Sequence, residues 1–410
     1  MTDQNNAPLA GIRVLDFSAM IAGPYCGRLM ADAGAEVIKI EPMEGEFMRD
    51  RLPVRNGHSL YFAVLNNGKK SMCLDLKSPE GIAVVKELAA IADVVVENFR
   101  PGVMKRLGLS ADVLTAINPK LVYCSISGYG QTGSQSQSPA YAPIVHAASG
   151  FDLANLACQS GIDRPLGSGI FVADFLIGVH AFSAINLALL RRTRTGQGDV
   201  IDCALMDAMA GLLGYELAAA QEPVSRPRPI YQPNKAKDGF FILAPISPAN
   251  FTAMARAAGH GEWMTDPRFA DSHVRAGKWN ELMVEVDQWA ADKTVDECIA
   301  VMEKGGVPCS RYQTIAEVLH SKYAEERGLF AEIDGPAGKV KTPNAPYKMQ
   351  GVKAGARVPA VGEHSASVLG ELLGRSDAEV KKLFGGKIAR LGRCPAACSA
   401  APGRARFNQK

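Results

Sequence analysis

Asp174 is a carboxylate inside an otherwise almost unbroken apolar stretch, GIFVADFLIGVHAF, at residues 169–182. The stretch is typical of a buried helix, and withdrawing an ionised carboxylate from water costs roughly several kcal/mol unless a partner compensates. One interpretation is structural: Asp174 caps the helix or pairs with a buried arginine. The other is catalytic, because a partly desolvated carboxylate can attack an activated acyl carbon and form an anhydride.

A glycine-rich segment, GYGQTG at 128–133, matches the GxGxxG pattern of dinucleotide sites and follows a predicted strand. The polar run after it contains Pro139 and Pro143, which disfavour the helix whose first amides would hold a pyrophosphate. No acidic residue ends a second strand at the spacing that a ribose contact needs. We therefore disfavour a nicotinamide site and expect a loop whose backbone amides lie near a substrate.

Basic side chains occur near the ends of predicted strands. Lys39 ends EVIKIE, and Asn98 and Phe99 follow DVVVE, so all three lie at the carboxyl ends of consecutive strands, where open α/β sheets bind ligands. A cluster of cations there would suit an anionic, nucleotide-like ligand, although each cation alone is equally a solvated surface charge. The basic residues concerned are Lys39, Lys69, Lys70, Arg100, Lys105 and Arg106.

Histidines and cysteines show no metal-site pattern. The seven histidines have no HExxH spacing, no GxSxG elbow is present, and we expect His180 to be a packed core histidine. The nine cysteines are scattered without a CxxC, which is typical of buried reduced thiols. The segment CPAAC at 394–398 has no matching second pair, so a metal site there is disfavoured.

Length and composition indicate an ordinary soluble globular protein with two domains or one elaborated domain. The 410 residues are 47% hydrophobic and 21% charged, and 45 basic against 42 acidic side chains give a net charge of +3. This balance gives no signature of nucleic-acid or membrane binding. The polar start, and the lack of any apolar window approaching the ~20 residues of a membrane span, favour a cytoplasmic protein.

Short β-branched runs alternate with helical patterns over the first 130 residues. The predicted strands RVLDF, EVIKIE, SMCLDL, DVVVENF and LVYCSIS have the spacing of βαβ units in a mostly parallel sheet. Ser78 and Pro79 suit a helix start, and Gly34 and Gly196 suit helix ends. Residues 143–192 predict two long helical stretches, and the proline-rich PVSRPRPIYQPN predicts a linker.

Several motifs occur in order from about residue 8 to 375: LAGIRVLDFSAMIAGPYCGRLMADAGAEVIKIEPMEGEFMR, NNGKKSMCLDLKSPEG, DVVVENFRPGVMKRLG, SISGYGQTG, the segment from Asp174 to RTRTGQG, and GGVPCSR. Together they resemble the class III coenzyme A transferases. This family also contains formyl-CoA transferase, carnitine CoA-transferase and the α-methylacyl-CoA racemases. The tail after about residue 387 matches nothing in the family.

The resemblance implies an α/β fold in which a Rossmann-like large domain with a mostly parallel sheet is built from both chain ends, with a smaller α+β domain between them. We assign 1–221 to the first part of the large CoA-binding domain, 222–325 to the small domain and 326–386 to the returning part. Residues 387–410 are expected to form a disordered tail. Two such chains are expected to form an interlocked homodimer.

For activity, the resemblance implies transfer of coenzyme A from an acyl-CoA to a carboxylic acid. An aspartate attacks the thioester to give an anhydride, and the CoA thiolate then returns to give an aspartyl-CoA thioester. Asp174 matches this aspartate, because its spacing to Gly178 and Gly196 follows the family. We expect no metal and no permanently bound cofactor. The acyl-CoA and the acid are the substrates, and the resemblance to the family favours a short dicarboxylic acyl-CoA, such as succinyl-CoA, as the donor.

The same match assigns the remaining site residues. Lys69 and Arg106 would meet phosphates, Phe99 would lie against the adenine, and Pro42 stands where a CoA-binding Arg can occur. The expected coenzyme A contacts are Ala22, Asn66, Asn67, Gly68, Lys69, Asn98, Phe99 and Arg106. The substrate loop expected to close over the intermediate contains Gly128, Tyr129, Gly130, Gln131 and Tyr141.

At several positions this chain differs from the residues of particular family members, and these differences disfavour some of the family's activities. The racemases carry a His-Asp pair and a Glu where this chain has Tyr141, Ala142 and Ser247, so proton removal beside the thioester lacks a base. Formyl-CoA transferases carry a His and a Gln where this chain has Ala19 and Ile21, which disfavours oxalate. An acyl-CoA racemase or isomerase and a non-catalytic CoA-binding subunit remain the alternatives.

Overall fold

The computed structural model describes residues 6–159, 161–165, 167–222, 231–245 and 247–390. The CPAAC segment, residues 391–410 of the expected tail and the linker residues 223–230 lie outside the described residues. Residues 387–390 of the expected tail are described, and Ala389–Arg390 form a strand of the central sheet. The chain divides into two compact units. One falls within Met1–Ala157, Gly161–Leu213 and Arg327–Lys410, and the other within Cys158–Ser160 and Gly214–Glu326.

Strands and helices alternate along most of the described chain. The strands are β1 (Arg13–Asp16), β2 (Glu36–Glu41), β3 (Val54–Arg55), β4 (His58–Ser59), β5 (Lys70–Leu74), β6 (Val94–Glu97), β7 (Val122–Ser127), β8 (Asp199–Ala204), β9 (Asn234–Lys235), β10 (Phe240–Leu243), β11 (Cys309–Arg311), β12 (Phe330–Ile333), β13 (Val340–Pro343) and β14 (Ala389–Arg390). The helices are α1 (Ala22–Asp32), α2 (Leu60–Asn66), α3 (Pro79–Ala90), α4 (Val103–Arg106), α5 (Ala111–Ile117), α6 (Ala142–Ala148), α7 (Phe151–Leu156), α8 (Val172–Thr195), α9 (Leu205–Leu212), α10 (Gly214–Gln221), α11 (Pro248–Ala257), α12 (Ser272–Gly277), α13 (Trp279–Ala290), α14 (Val295–Lys304), α15 (Ile315–Leu319), α16 (Lys322–Arg327), α17 (Ser365–Ser367) and α18 (Asp377–Gly385).

A seven-stranded sheet forms the centre of the first unit, in the order β14-β5-β2-β1-β6-β7-β8. Neighbouring strands are parallel, except that β14 pairs antiparallel with β5. The mostly parallel α/β sheet predicted from the sequence is therefore confirmed, with all five predicted strands in it. From β1 the chain continues to β2 and β5 on one side, whereas β6, β7 and β8 lie on the other. The carboxyl ends of β1 and β6 thus flank the position where open α/β sheets bind ligands.

Alternating side chains of the central strands supply two cores, one on each face of the sheet. Val14 belongs to the core that packs α1, α8 and α9, and Leu15 to the core that packs α3, α5 and α18. The predicted helix signals are present: the Ser78 hydroxyl accepts from the Gly81 N–H at 2.9 Å, and Gly196 ends α8 with a φ of +71°. The second unit holds an antiparallel sheet, β11-β10-β9, with its own core.

Two predictions about residues 143–192 are wrong. The first long helical stretch is two short helices, α6 and α7, because the chain turns at Gly150 with a φ of +88°, a conformation that interrupts a right-handed helix. His180 is exposed on α8 and is not a core histidine. The apolar stretch around Asp174 is therefore buried on one face only.

α8 also corrects the membrane argument from the sequence. It is long and apolar enough to cross a membrane by length and composition, although the sequence analysis expected no such stretch. In the structure, Ala173, Ile177, Ala181 and Ile185 pack into the core beside the sheet. Val179, Leu187 and Leu190 are exposed. The helix thus has one apolar face packed against the first unit and further apolar side chains that this unit leaves uncovered.

Candidate active site

Asp174 lies in the first turn of α8, with its side chain half-buried. Gly178, one turn further on, is a point of close approach between α8 and α1. A Cβ atom at Gly178 would lie 2.8 Å from the Ala22 carbonyl oxygen and 3.1 Å from Cδ1 of Tyr25. Since any larger residue would force the two helices apart, Gly178 holds the start of α8 against the start of α1.

The Asp174 carboxylate has no hydrogen bond or ion pair to any described side chain. Burial raises its pKa from 3.8 to about 6. A capping carboxylate or one paired with arginine would have its pKa lowered by that partner. The observations therefore argue against the structural interpretation and leave Asp174 as an unpaired, partly desolvated carboxylate that is ionised at neutral pH.

Aromatic side chains border this carboxylate. The rings of Tyr25 and Phe175 meet edge to face with centroids 4.9 Å apart, and both belong to a cluster with Phe171 and Tyr61. Burial, and in addition the nearby Asp174 charge, raises the pKa of Tyr61. These side chains explain why Asp174 is withdrawn from water without a charged partner.

His146 is a buried side chain at this site that the sequence analysis did not assign. It lies on α6, is 1% exposed, and its Nε2 accepts a hydrogen bond of 3.1 Å from the backbone N–H of Ala173. The only sequence signal was a histidine within an apolar run, IVHAA, because the contact joins residues that are 27 positions apart. The residue beside Asp174 is therefore held by a side chain from another helix.

The loop between β1 and α1 is fixed by side chains around it. The Asn98 amide accepts from the Ala19 N–H at 2.8 Å and donates to the Ala19 carbonyl at 2.7 Å. Met20 has a φ of +67°, rare for a residue with a side chain, and its N–H donates to Glu46 at 2.7 Å. Asn98 thus lies beside Ala22 and the start of α1, at the predicted crevice, with its amide already engaged.

Lys69 does not present its ammonium group to a ligand. The group is fully buried, pairs with Asp16 at 2.8 Å, and donates to the Pro24 carbonyl at 2.8 Å and to the Asn66 side chain at 2.9 Å. An ammonium has three donors, and these contacts use all of them. The geometry does not support the expected phosphate contact by this side chain, because charge burial required an internal partner instead.

Lys39, also considered for a phosphate, is likewise internal. It pairs with Glu46 at 2.7 Å and donates to the Ser18 carbonyl at 2.7 Å. Lys39 and Lys69 therefore form a buried ionic layer beneath the loop from Ser18 to Met20. The sequence predicted Lys39 at the carboxyl end of a strand, but Lys39 lies within β2, and Lys69 immediately precedes β5. The burial of both side chains was not visible in the sequence.

The segment Asn66–Gly68, expected to contact coenzyme A, joins α2 to β5. Asn66 and Asn67 are buried, and the Asn66 amide donates to the Phe62 carbonyl at 3.2 Å. Gly68 has a φ of +80°, and its N–H donates to the Arg357 carbonyl at 2.7 Å. In this structure the segment shapes the backbone between α2 and β5, and its contacts with a ligand stay a prediction.

Arg106 lies in a different setting, on the wall of an open groove of about 540 Å³. Lys77 and Lys86 line the same groove, and Pro79, Ile82 and Leu107 supply apolar surface. None of the three cations makes an ion pair or side-chain hydrogen bond with another described residue. A groove with free cations beside apolar surface suits a ligand that carries both phosphate and an aromatic ring.

Phe99 belongs to the same face of the first unit as this groove. Its ring packs against the core that contains α3 and α5, and its N–H donates to Glu97 at 2.8 Å. Burial raises the pKa of Glu97 to about 7. The residues Asn98 and Phe99 thus follow β6 with fixed backbones, as ligand-facing residues at a strand end require.

The glycine-rich loop is anchored at both ends. The Gln131 N–H donates to Asp202 at 2.9 Å, and the Gly128 carbonyl accepts from the Met206 N–H at 3.0 Å. Gly130 has a φ of +84°. Tyr141, 63% exposed, precedes α6, the helix that carries His146. The expected absence of a dinucleotide-binding helix after GYGQTG is confirmed, since the chain from 128 to 141 is irregular.

The positions where racemases carry bases have other roles. Ala142 is buried at the start of α6, and the Ser247 hydroxyl caps α11 by accepting from the Asn250 N–H at 3.1 Å. Within the described part of the chain, no group of three His, Cys, Asp or Glu side chains is placed to hold a metal ion.

Comparison with known proteins gives a consistent picture. The family model for CoA-transferase family III matches residues 9–365. A succinyl-CoA–D-citramalate CoA-transferase of Chloroflexus aurantiacus is 34% identical over 392 residues, 92% of this chain and 96% of that protein. A succinyl-CoA:glutarate CoA-transferase of Mus musculus is 32% identical over 394 residues, 92% of this chain and 89% of that protein. A crystal structure of a CAIB/BAIF family protein from Brucella suis has a TM-score of 0.78 at 32% identity, covering 90% of this chain and 100% of that one.

Proposed function

The chain belongs to CoA-transferase family III, and from this premise we propose that Asp174 carries the transfer of coenzyme A as a covalent nucleophile. The observation that supports this most directly is an unpaired, half-buried carboxylate with a pKa raised to about 6. Such a group is ionised near pH 7 and is more basic than an exposed aspartate, so it is the better nucleophile.

The proposed reaction keeps one activated acyl bond, either a thioester or an anhydride, at every stage. A carboxylate oxygen of Asp174 attacks the thioester carbonyl, the carbon–sulfur bond breaks, and a mixed anhydride and the CoA thiolate result. The thiolate attacks the Asp174 carbonyl carbon, which releases the donor acid as a carboxylate and leaves an aspartyl-CoA thioester. The acceptor carboxylate attacks that thioester to form a second anhydride, and the thiolate then attacks the acceptor's acyl carbon. Asp174 returns as a carboxylate, and no net proton transfer occurs.

Coenzyme A is proposed to bind across the carboxyl ends of β1 and β6, with its phosphates toward Arg106. Support comes from the free cations Arg106, Lys77 and Lys86 along an open groove that also offers apolar surface. Ala22, Asn98 and Phe99 keep the ligand contacts assigned from the sequence. The contacts of Asn66, Asn67 and Gly68 with the ligand stay as assigned from the sequence. Lys69 instead supports the site from beneath, because its ammonium group is engaged internally.

The proposed substrates are succinyl-CoA as donor and a five-carbon dicarboxylic acid as acceptor. This follows from the names of relatives that are 32% to 34% identical over nine-tenths of the chain. Purified protein is to be incubated with succinyl-CoA and a panel containing glutarate, citramalate, oxalate, a monocarboxylic acid and no acid. Formation of the new acyl-CoA, measured by chromatography, is expected with the five-carbon diacids and not with oxalate.

We also propose a homodimer with interlocked chains, working in the cytoplasm. Exposed apolar residues on α8, together with the exposed Val200 on the edge strand β8, give the first unit a surface that a second copy would cover. The described cysteines are free thiols, as expected in a reducing compartment.

The nucleophile is tested by trapping. Protein mixed with acyl-CoA is treated with borohydride or hydroxylamine, and the peptide containing residue 174 is analysed by mass spectrometry. An adduct on Asp174 that is absent from an Asp174→Asn variant is expected. Full transferase activity in Asp174→Asn would falsify the proposal. Exchange of the α-hydrogen with deuterium and no adduct would instead indicate isomerase chemistry.

A further inference from the structure

The first turn of α8 lacks a local side-chain cap. The residue before it is Phe171, which offers no acceptor, although the first backbone N–H groups of any helix need one. The Val172 N–H reaches the Ile170 carbonyl at 3.0 Å, and the Ala173 N–H reaches Nε2 of His146 at 3.1 Å. A histidine from another helix thus fills the role of a capping residue, immediately before Asp174.

His146 is held rigidly enough for this role. It is 1% exposed, and its ring packs against the ring of Phe151 with centroids 5.3 Å apart. An imidazole nitrogen accepts a hydrogen bond only when it carries no proton, so the ring is neutral with its proton on Nδ1. Burial agrees with this, since it lowers the pKa of His146 against a smaller opposing effect of Asp152.

We propose that His146 is a positioning residue that fixes the backbone of the nucleophile through the Ala173 N–H. The inference rests on the proposed role of Asp174. Attack on a thioester carbonyl requires the carboxylate at a defined distance and angle, and a displacement near 1 Å is enough to cost on the order of a hundredfold in rate. Without the acceptor at His146, the backbone N–H groups of the first turn of α8 lose the one hydrogen bond that they donate to a side chain among the described residues.

The same contact joins two parts of the site. α6 follows the glycine-rich loop and begins directly after Tyr141, so His146 connects the chain that leaves the loop to the helix that carries Asp174. A shift of α6 as the loop meets substrate would be transmitted to the first turn of α8 through this hydrogen bond, in addition to the packing of Val145 in the same core as Ala173. His146 therefore links loop position to nucleophile position.

Three variants separate positioning from packing. His146→Gln places an amide oxygen where Nε2 lies and keeps an acceptor, whereas His146→Leu fills similar space without one. Val145→Ala is the matched control, because Val145 is a neighbouring buried residue on α6 whose truncation weakens packing but leaves the acceptor in place. The melting temperature, KM for acyl-CoA, kcat and the single-turnover rate of Asp174 adduct formation are measured for each.

We expect His146→Leu to lower kcat and the adduct rate by roughly tenfold to a hundredfold with KM changed less than about threefold. His146→Gln should recover most of that loss, and Val145→Ala should lower the melting temperature with kcat nearly unchanged. Equal loss in the Gln and Leu variants, or a kcat that simply follows the melting temperature in all three, would overturn the inference. If His146→Leu does not fold, the adduct rates of His146→Gln and Val145→Ala are compared with that of the wild type. A His146→Gln rate far below that of an equally destabilised Val145→Ala protein would overturn the inference, because the Gln variant keeps the acceptor.

Failure of this inference is distinguishable from failure of the proposed function. If Asp174→Asn stays active, the nucleophile is wrong whatever His146 does. If Asp174→Asn is inactive but His146→Leu forms the adduct at the wild-type rate, Asp174 keeps its role and His146 is only a packing residue.

Discussion

At the scale of one residue, the proposed role of Asp174 rests on burial without a pairing partner. Its apolar neighbours raise the carboxyl pKa to about 6, so the charged form is destabilised in the folded protein relative to the unfolded chain. Folding stability is therefore highest when the group is protonated and falls as pH rises through about 6. The ionised carboxylate of this proposed nucleophile therefore lowers folding stability at neutral pH.

Asp174→Asn is expected to raise stability at pH 8 and to have little effect near pH 4. A pKa shift from 3.8 to about 6 corresponds to about 3 kcal/mol at most. The measurement is chemical unfolding of both proteins between pH 4 and 8. A wild-type protein that is more stable than the variant at pH 8 would show that Asp174 has a stabilising partner. In the wild type, the adduct rate should fall below pH 6, as the carboxylate becomes protonated.

Lys69 and Arg106 are expected to respond oppositely to the same substitution. Lys69→Met leaves Asp16 charged and unpaired in the core, so the unfolding free energy should fall by about 3 to 5 kcal/mol. Arg106→Met should leave the melting temperature unchanged and raise KM for acyl-CoA by about tenfold, through loss of a charge-assisted contact. Thermal unfolding and steady-state kinetics of both variants provide the measurement. A stable Lys69→Met protein with a raised KM would restore Lys69 to the ligand site.

The sequence predicted strands and helix ends well where residues close together in the chain determine the structure. β-branched runs placed β1, β2, β5, β6 and β7, and Ser78 and Gly196 placed helix ends, because those preferences act within a few residues. Gly150 was missed as a break because an isolated glycine is tolerated in many helices. The contacts of Lys69 and His146 join residues 53 and 27 positions apart, which neither periodicity nor a motif reveals. The ion pair of Lys39 with Glu46 is closer in the sequence but belongs to no recognisable motif. Asp174 was identified because a charge in an apolar run is anomalous whatever it contacts.

The close approach of α1 and α8 is an element-scale feature that a single methyl group should disturb. Gly178→Ala places Cβ near the Ala22 carbonyl and Tyr25, so we expect a loss of about 1 to 3 kcal/mol and a lower kcat from displacement of α8. Gly211→Ala on α9 is the control, since nothing lies within 4 Å of its Cβ position, and it should gain up to about 1 kcal/mol. Denaturant unfolding and initial rates are measured for both. A neutral Gly178→Ala protein would mean that the helices separate without cost.

At the scale of the whole molecule, several apolar side chains on α8 and β8 are exposed in the described chain. Leu187 and Leu190 are 67% and 61% exposed, and Val200 on the edge strand is 56% exposed. A soluble protein normally covers such a surface with a partner. In the proposed dimer, the second copy would cover the apolar side chains of α8 that the first unit leaves exposed.

Replacing Leu187 and Leu190 together by Asp is expected to abolish the dimer, because two charges cannot be buried in an apolar interface without partners. Mass measured by light scattering during size-exclusion chromatography should shift from two chains to one. Ile117→Asp is the control: Ile117 is 41% exposed on α5, which packs on the opposite face of the sheet. A double variant that still elutes as a dimer would place the interface elsewhere.

The strand β14 has a consequence for how the protein is made. It pairs with β5 at one margin of the central sheet, although Ala389 and Leu74, which face each other there, are separated by most of the chain. At translation rates of about 5 to 20 residues per second, roughly 15 to 60 s pass between the synthesis of β5 and the synthesis of β14. During that interval the backbone donors and acceptors on this edge of β5 are free to pair with a strand of another chain. The risk of aggregation through this edge is therefore highest during synthesis.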